Sequence, residues 1–148
     1  MSLKEPHLKM SKSHQDEQSR IMLNDDDTAI ALKIRKALTD SVTGISYDPV
    51  HRPALSSLIM LLHHLENESR TPKEIAEENK SLSMKAFKEL ITDALCAKIR
   101  PIREAYAYLE APERSQYLKD VERKGNEIAK TSAAITMQRV RDAIGFSD

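Results

Sequence analysis

The 148 residues, 40% hydrophobic and 31% charged, suffice for one compact unit with a core, and no apolar run approaches the ~18 residues needed to cross a bilayer. Aromatic residues make up only 4%, Trp is absent and Gly occurs three times, while Leu, Ile, Ala, Lys and Glu abound, a balance that favours helices over strands. Lys plus Arg equal Asp plus Glu at 23 each, which excludes a global positive field, so a nucleic-acid partner would have to be held by a local basic patch.

The chain opens on Met1-Ser2-Leu3-Lys4-Glu5-Pro6, which reads like the interior of a longer protein and carries neither a signal-peptide core nor an Arg-rich transit segment. Residues 1 to 25 show no apolar period and are crowded with Lys, Ser, His, Gln and Asp, the profile of an exposed, mobile loop. Asp25-Asp26-Asp27-Thr28 then offers capping oxygens and negative charge to a helix start, with Ile30, Ile34, Ala37 and Leu38 on one stripe, so a first helix is expected over 27 to 40.

A turn-rich stretch from Asp40 to Arg52 ends at Pro53, which suits the first position of a second helix because no N–H is needed there. Leu55, Leu58, Ile59, Leu62 and Leu65 give that helix a buried face, and it should end near Asn67. Thr71-Pro72-Lys73-Glu74 is a capping box and predicts a short third helix. From Met84 to Leu109 a stripe of Phe87, Leu90, Ile91, Ala94, Leu95, Ile102, Tyr106 and Leu109 persists across Pro101, predicting one long helix kinked near Arg100. Cys96 lies in this apolar run and suits a buried thiol, with no partner for a disulfide. Pro112 opens the last helical region, where Leu118, Val121, Gly125, Ile128 and Ser132 recur until Gly145-Phe146 stops it; Gly125 suggests a bend or a close helix contact.

The chemistry sits in Lys9-Met10-Ser11-Lys12-Ser13. Two ammonium groups and two hydroxyls on a loop suit a leaving pyrophosphate, whose charge grows during reaction. Taken alone, such a string is more often a solvated loop, because short motifs match by chance.

The context is more specific. Lys9 to Ser13 resembles the KMSKS signature of class I aminoacyl-tRNA synthetases. Further along the chain, Lys33-Ile34-Arg35-Lys36-Ala37-Leu38-Thr39-Asp40-Ser41, Tyr47-Asp48-Pro49 and Arg52-Pro53 resemble the tryptophanyl-tRNA synthetase family, in its bacterial and mitochondrial type. The likeness continues more weakly through Leu118, Gly125, Ile128-Ala129 and Ile144-Gly145-Phe146. The chain departs from the family pattern at His14-Gln15-Asp16, where Asp-Pro often comes directly after the signature.

The resemblance implies an all-α helical bundle of the anticodon-binding type at residues 26–148, preceded at 1–25 by a flexible catalytic loop and a remnant of the Rossmann domain. It implies a tryptophan-tRNA ligase that uses ATP, with Mg2+, to make tryptophanyl-adenylate and then charges tRNA(Trp). By motif matching, Lys9 and Lys12 act on the ATP phosphates and Met10, Ser11 and Ser13 complete the ATP-binding loop. The HIGH signature, the adenine site and the tryptophan pocket are expected to precede Met1, since His63-His64-Leu65-Glu66 lies in an amphipathic helix and lacks glycine. The isolated chain is therefore expected not to activate tryptophan, and the family homodimer to form mainly through that other half, leaving this portion monomeric. The compartment expected is the mitochondrial matrix, ahead of the cytoplasm. A reading of another class is a non-catalytic helical module that grips tRNA or a protein.

Other signals are weaker. Lys98, Arg100 and Arg103, and later Arg114, Lys119, Arg123 and Lys124, form patches that could meet anticodon-stem phosphates, but Glu104, Glu113, Asp120 and Glu122 dilute them into ordinary solvated faces. Asp48 and Arg52 could pair to fix the interhelical turn, or Arg52 could face the active site, the structural role being favoured. His64 and Glu68 share a helical face, yet two ligands without a third do not make a metal site, and none is assigned.

Overall fold

The computed structural model describes residues 1–146. As the composition predicts, these residues are all-helical: α1 (Asp27–Arg35), α2 (Pro53–Leu65), α3 (Pro72–Glu78), α4 (Met84–Glu110) and α5 (Ser115–Ile144), with 3-10 turns at Glu17–Ser19 and Pro112–Arg114 and no strand among the described residues. The chain divides into two compact units, Met1–Glu104 and a second that begins at Ala105, so the division falls inside α4.

The first unit holds the core. Ile30 and Ile34 of α1, Leu55, Leu58, Ile59 and Leu62 of α2, Ile75 of α3, and Phe87, Ile91, Leu95 and Ile99 of α4 are buried together. Each such side chain contributes roughly 1.5–3 kcal/mol by leaving water, so this cluster decides the stability of the unit. Cys96 is buried with them, and burial pushes its thiol pKa up, which makes it an inert packing residue.

The helix starts obey the local chemistry expected of them. Asp26 accepts from the Ala29 amide at 2.7 Å and caps α1. Pro53 begins α2, and the Thr71–Glu74 box closes in both directions, with the Thr71 amide on Glu74 Oε2 at 2.7 Å and the Glu74 amide on Thr71 Oγ1 at 3.3 Å. At the far end Gly145 takes the left-handed conformation with φ 77°, and the Phe146 amide donates back to the Arg141 carbonyl at 2.8 Å, the glycine-terminated closure predicted for α5.

Four expectations are corrected. The first helix ends at Arg35 and not near 40, because the Leu38 amide leaves the helical ladder to donate to the Leu3 carbonyl at 2.7 Å; Leu38 itself is exposed. Residues 1 to 25 are irregular but are not a free exposed loop, since Leu3 is buried in the core and Met10 and Ile21 pack against it. The stripe of α4 is buried only as far as Ile99, leaving Ile102, Tyr106 and Leu109 exposed, and Leu118, Val121 and Ile128 of α5 are exposed as well. Periodicity specifies an apolar face; it does not supply the element that covers it. Gly125 marks no close contact, as a Cβ there would meet nothing within 4 Å, and α5 runs unbroken through it. α4 likewise remains one helix through Pro101, whose missing N–H leaves the carbonyl of exposed Ala97 to solvent. The final two residues of the 26–148 segment lie outside the described residues.

Candidate functional site

The Lys9–Ser13 loop is held from both sides. On one side the Ser2 amide donates to the Leu8 carbonyl at 2.8 Å and the Leu3 amide to the Ser19 carbonyl at 2.9 Å, so residues 2 to 19 return on themselves with Leu3 as the buried anchor. On the other side Asp16 Oδ1 accepts from the Gln18 amide at 2.8 Å and starts the Glu17–Ser19 turn, and the buried Ser19 hydroxyl donates to the Asp16 carbonyl at 2.6 Å.

His14 ties the two sides together. Its Nδ1 accepts from the Asp16 amide at 3.0 Å, because a backbone N–H can only donate. That contact puts the ring proton on Nε2, which lies 3.3 Å from Glu5 Oε2, while Arg20 Nη1 donates to the His14 carbonyl at 2.7 Å. The His14-Gln15-Asp16 stretch therefore has a structural role here: the His14 side chain tethers the two flanks of the loop. No sequence period announces that tether, since Glu5 and His14 are far apart in an irregular segment.

Within the loop, Met10 is half-buried and its Sδ accepts the Ile21 amide at 3.4 Å, whereas Lys9, Ser11, Lys12 and Ser13 are exposed. The hydroxyls of Ser11 and Ser13 lie 3.2 Å apart. Neither Lys9 nor Lys12 forms an ion pair among the described residues, whereas Lys33, Arg52, Arg70, Arg100 and Arg103 of the same unit all do. The chain thus presents two uncompensated ammonium groups and two adjacent hydroxyls on a loop whose flanks are fixed. Such a donor set suits phosphate oxygens.

The basic patches fare differently. Arg100 and Arg103 reach Asp27 at 2.7 and 2.8 Å, Arg103 also donates to the Asp25 carbonyl at 2.7 Å, and Lys98 donates to Asn67 Oδ1 at 3.1 Å. These cations fasten the start of α1 and the end of α2 to α4. In the second unit Arg114 lies 4.3 Å from the centre of the Tyr108 ring, a cation–π contact, and Arg123 pairs with Asp120 and Glu127. Lys119 and Lys124 are exposed.

Arg52 is buried and spends its donors inside the fold. Nε and Nη2 grip Asp40 at 2.9 and 2.7 Å, and Nη1 reaches the Gly44 carbonyl and the Ser46 hydroxyl at 3.0 and 2.7 Å. Its partner is Asp40 and not Asp48, which instead caps its own turn by accepting from the amides of Val50 and His51.

The family described as tRNA synthetases class I (W and Y) matches residues 1–98. A tryptophan–tRNA ligase of Thermosynechococcus vestitus is 38% identical over 147 residues, covering 99% of this chain and 43% of that protein. The mitochondrial tryptophan–tRNA ligase of Dictyostelium discoideum is 36% identical over 146 residues, covering 99% of this chain and 38% of its own length. Among solved structures, the tryptophanyl-tRNA synthetase of Mycoplasma pneumoniae has the same fold over 99% of this chain and 43% of that one, with a TM-score of 0.74 and 24% identity. The chain spans less than half the length of the relatives it matches. No helix among the described residues is long and apolar enough to cross a membrane.

Proposed function

The chain belongs to the class I tRNA synthetases of the W and Y group, and on that premise we propose that it is the portion of a tryptophan–tRNA ligase that grips the phosphates of ATP and carries the helices facing tRNA(Trp). Lys9 and Lys12 carry this assignment: they stand exposed, without an ion pair among the described residues, on a loop pinned by Leu3, Met10 and His14. Tryptophan–tRNA ligases that match nearly the whole chain support it.

In the first half-reaction the tryptophan carboxylate attacks the α-phosphate of ATP and pyrophosphate leaves. Charge builds on the leaving oxygens, and the ammonium groups of Lys12 and Lys9 neutralise it there, with the Ser11 and Ser13 hydroxyls donating hydrogen bonds. Lys9 to Ser13 contain no carboxylate that could ligate Mg2+, so the ion enters with the ATP it accompanies. Residues 1–25 then serve as the catalytic loop and residues 26–148 as the helical tRNA/anticodon-binding part. The family dimer forms mainly through the other half of such a ligase, and the mitochondrial matrix is the preferred compartment ahead of the cytoplasm.

Most of the rate comes from positioning bound ATP against the loop, so residues 1–148 alone do not activate tryptophan. The test combines the 148-residue chain with a separately produced Rossmann half from a relative and monitors tryptophan-dependent exchange of labelled pyrophosphate into ATP. The combination is expected to exchange, the chain alone to be silent, and Lys12→Ala to lower the rate about 10²–10³-fold. Undiminished exchange by a Lys9→Ala/Lys12→Ala chain would overturn the assignment, and tRNA binding with no exchange from any combination would leave only a binding module.

A further inference from the structure

We propose that His63, His64 and Glu68, where α2 gives way to the following turn, form a binding site for a divalent cation of the zinc class. Ligand atoms of the three side chains lie within 4.8 Å of one another. His64 Nδ1 and Glu68 Oε1 are 3.2 Å apart. A tetrahedral zinc with its ligands at about 2.0–2.1 Å spaces neighbouring ligand atoms by roughly 3.3 Å, so this pair has the spacing that zinc requires once the ion displaces the proton that His64 Nδ1 donates to the carboxylate.

The surroundings organise the ligands. His63 Nδ1 is 2.6 Å from the Arg70 carbonyl, which can only accept, so the ring proton sits on Nδ1 and Nε2 keeps its lone pair. A backbone carbonyl that fixes the tautomer of a ligating histidine is the usual outer support of a metal site. Asn67 and Glu68 both adopt left-handed backbone, φ 55° and 61°, which carries the chain sharply back over the helix end and brings Glu68 to His64. The turn is locked by Arg70, whose guanidinium bonds both Glu66 and Glu78. The closing turn of α2 presents the negative end of its dipole, which favours a cation. Lys98, a cation of α4, is engaged with Asn67 Oδ1 at 3.1 Å.

Three protein ligands leave a fourth position for water or an outside group, which marks an accessible site and not a closed structural one. The site does not depend on the catalytic assignment.

Zinc chloride titrated calorimetrically into the untagged 148-residue chain should bind at one equivalent. His64→Ala, Glu68→Gln and His63→Ala should each weaken binding by at least about tenfold, while His51→Ala, at the separate His51–Asp48 pair, leaves it unchanged. Glu68 is exposed, so the Glu68→Gln chain keeps its fold and far-UV helicity verifies this. Binding below one equivalent, or an affinity that survives both His64→Ala and Glu68→Gln, overturns the proposal.

Discussion

Asp27 stands in the first turn of α1 and faces two guanidinium groups from α4, Arg100 and Arg103. Their hydrogen bonds hold its carboxyl down from the ordinary 3.8 to about 2. A carboxylate with a depressed folded pKa stabilises the fold above its unfolded value and loses that contribution as pH falls through the folded one. Asp27→Asn should therefore lower the denaturant midpoint at neutral pH, with a deficit that is constant down to about pH 5, shrinks below about 4 and is gone only near 1. Equilibrium urea unfolding of both chains across that range checks it, and a deficit that persists undiminished at about pH 1 contradicts it. Sequence shows why such pairs are hard to read: Asp27 and Arg100 lie far apart in the chain, and only the packing of α1 on α4 brings them together. The same holds nearer by for Arg52. Proximity suggests Asp48, but the guanidinium turns to Asp40, twelve residues back, where a bidentate grip and the Gly44 carbonyl satisfy more of its donors. The chemistry of single positions is legible without the fold: the lysines and serines of residues 9 to 13 are exposed as their polarity demands, and Cys96 is buried as its neighbours demand.

Helix starts and stops read well because they are local. The Asp26 cap, the Pro53 start, the Thr71–Glu74 box and the Gly145 stop each rest on residues within about one turn of each other, so the sequence contains the whole cause. The end of α1 escapes such a reading because its cause is not local: the Leu3 carbonyl draws off the Leu38 amide. Gly125 shows the same division in reverse. In the sequence an isolated glycine within a helical stripe suggests a bend or a close neighbour, yet nothing lies within 4 Å of where its Cβ would be and the helix does not break. The residue therefore costs helix propensity without a packing return. Gly125→Ala should raise the stability of α5 by about 1 kcal/mol, measurable as increased ellipticity at 222 nm on heating through the helix's own transition. A loss of helicity would mean that the glycine serves a contact.

The two units differ in what holds them. Met1–Glu104 encloses all sixteen buried hydrophobic residues of the core, with α1 through the first half of α4 around them. From Ala105 to Phe146 no described residue is buried, and Tyr117, Val121, Ile128, Ile135 and Ile144 leave much of their surface in water. A solvated helix of this kind depends on its own hydrogen bonds and on i,i+4 pairs such as Arg123–Glu127, each worth a few tenths of a kcal/mol, while helices of the core inherit the cooperativity of the whole unit. Amide exchange should accordingly separate the units. Amides of α2 and of α4 before Ile99 should exchange only through global opening of the first unit, and those of α5 through local fraying, at least about a hundredfold faster. Mass-spectrometric exchange on the 148-residue chain reads both in one experiment. Equal protection of α5 and α2 would mean that the apolar stripe of α5 is covered in solution, by a further copy of the chain or another partner, and repeating the measurement at tenfold dilution would tell the first from the second, because only self-association weakens as the chain is diluted.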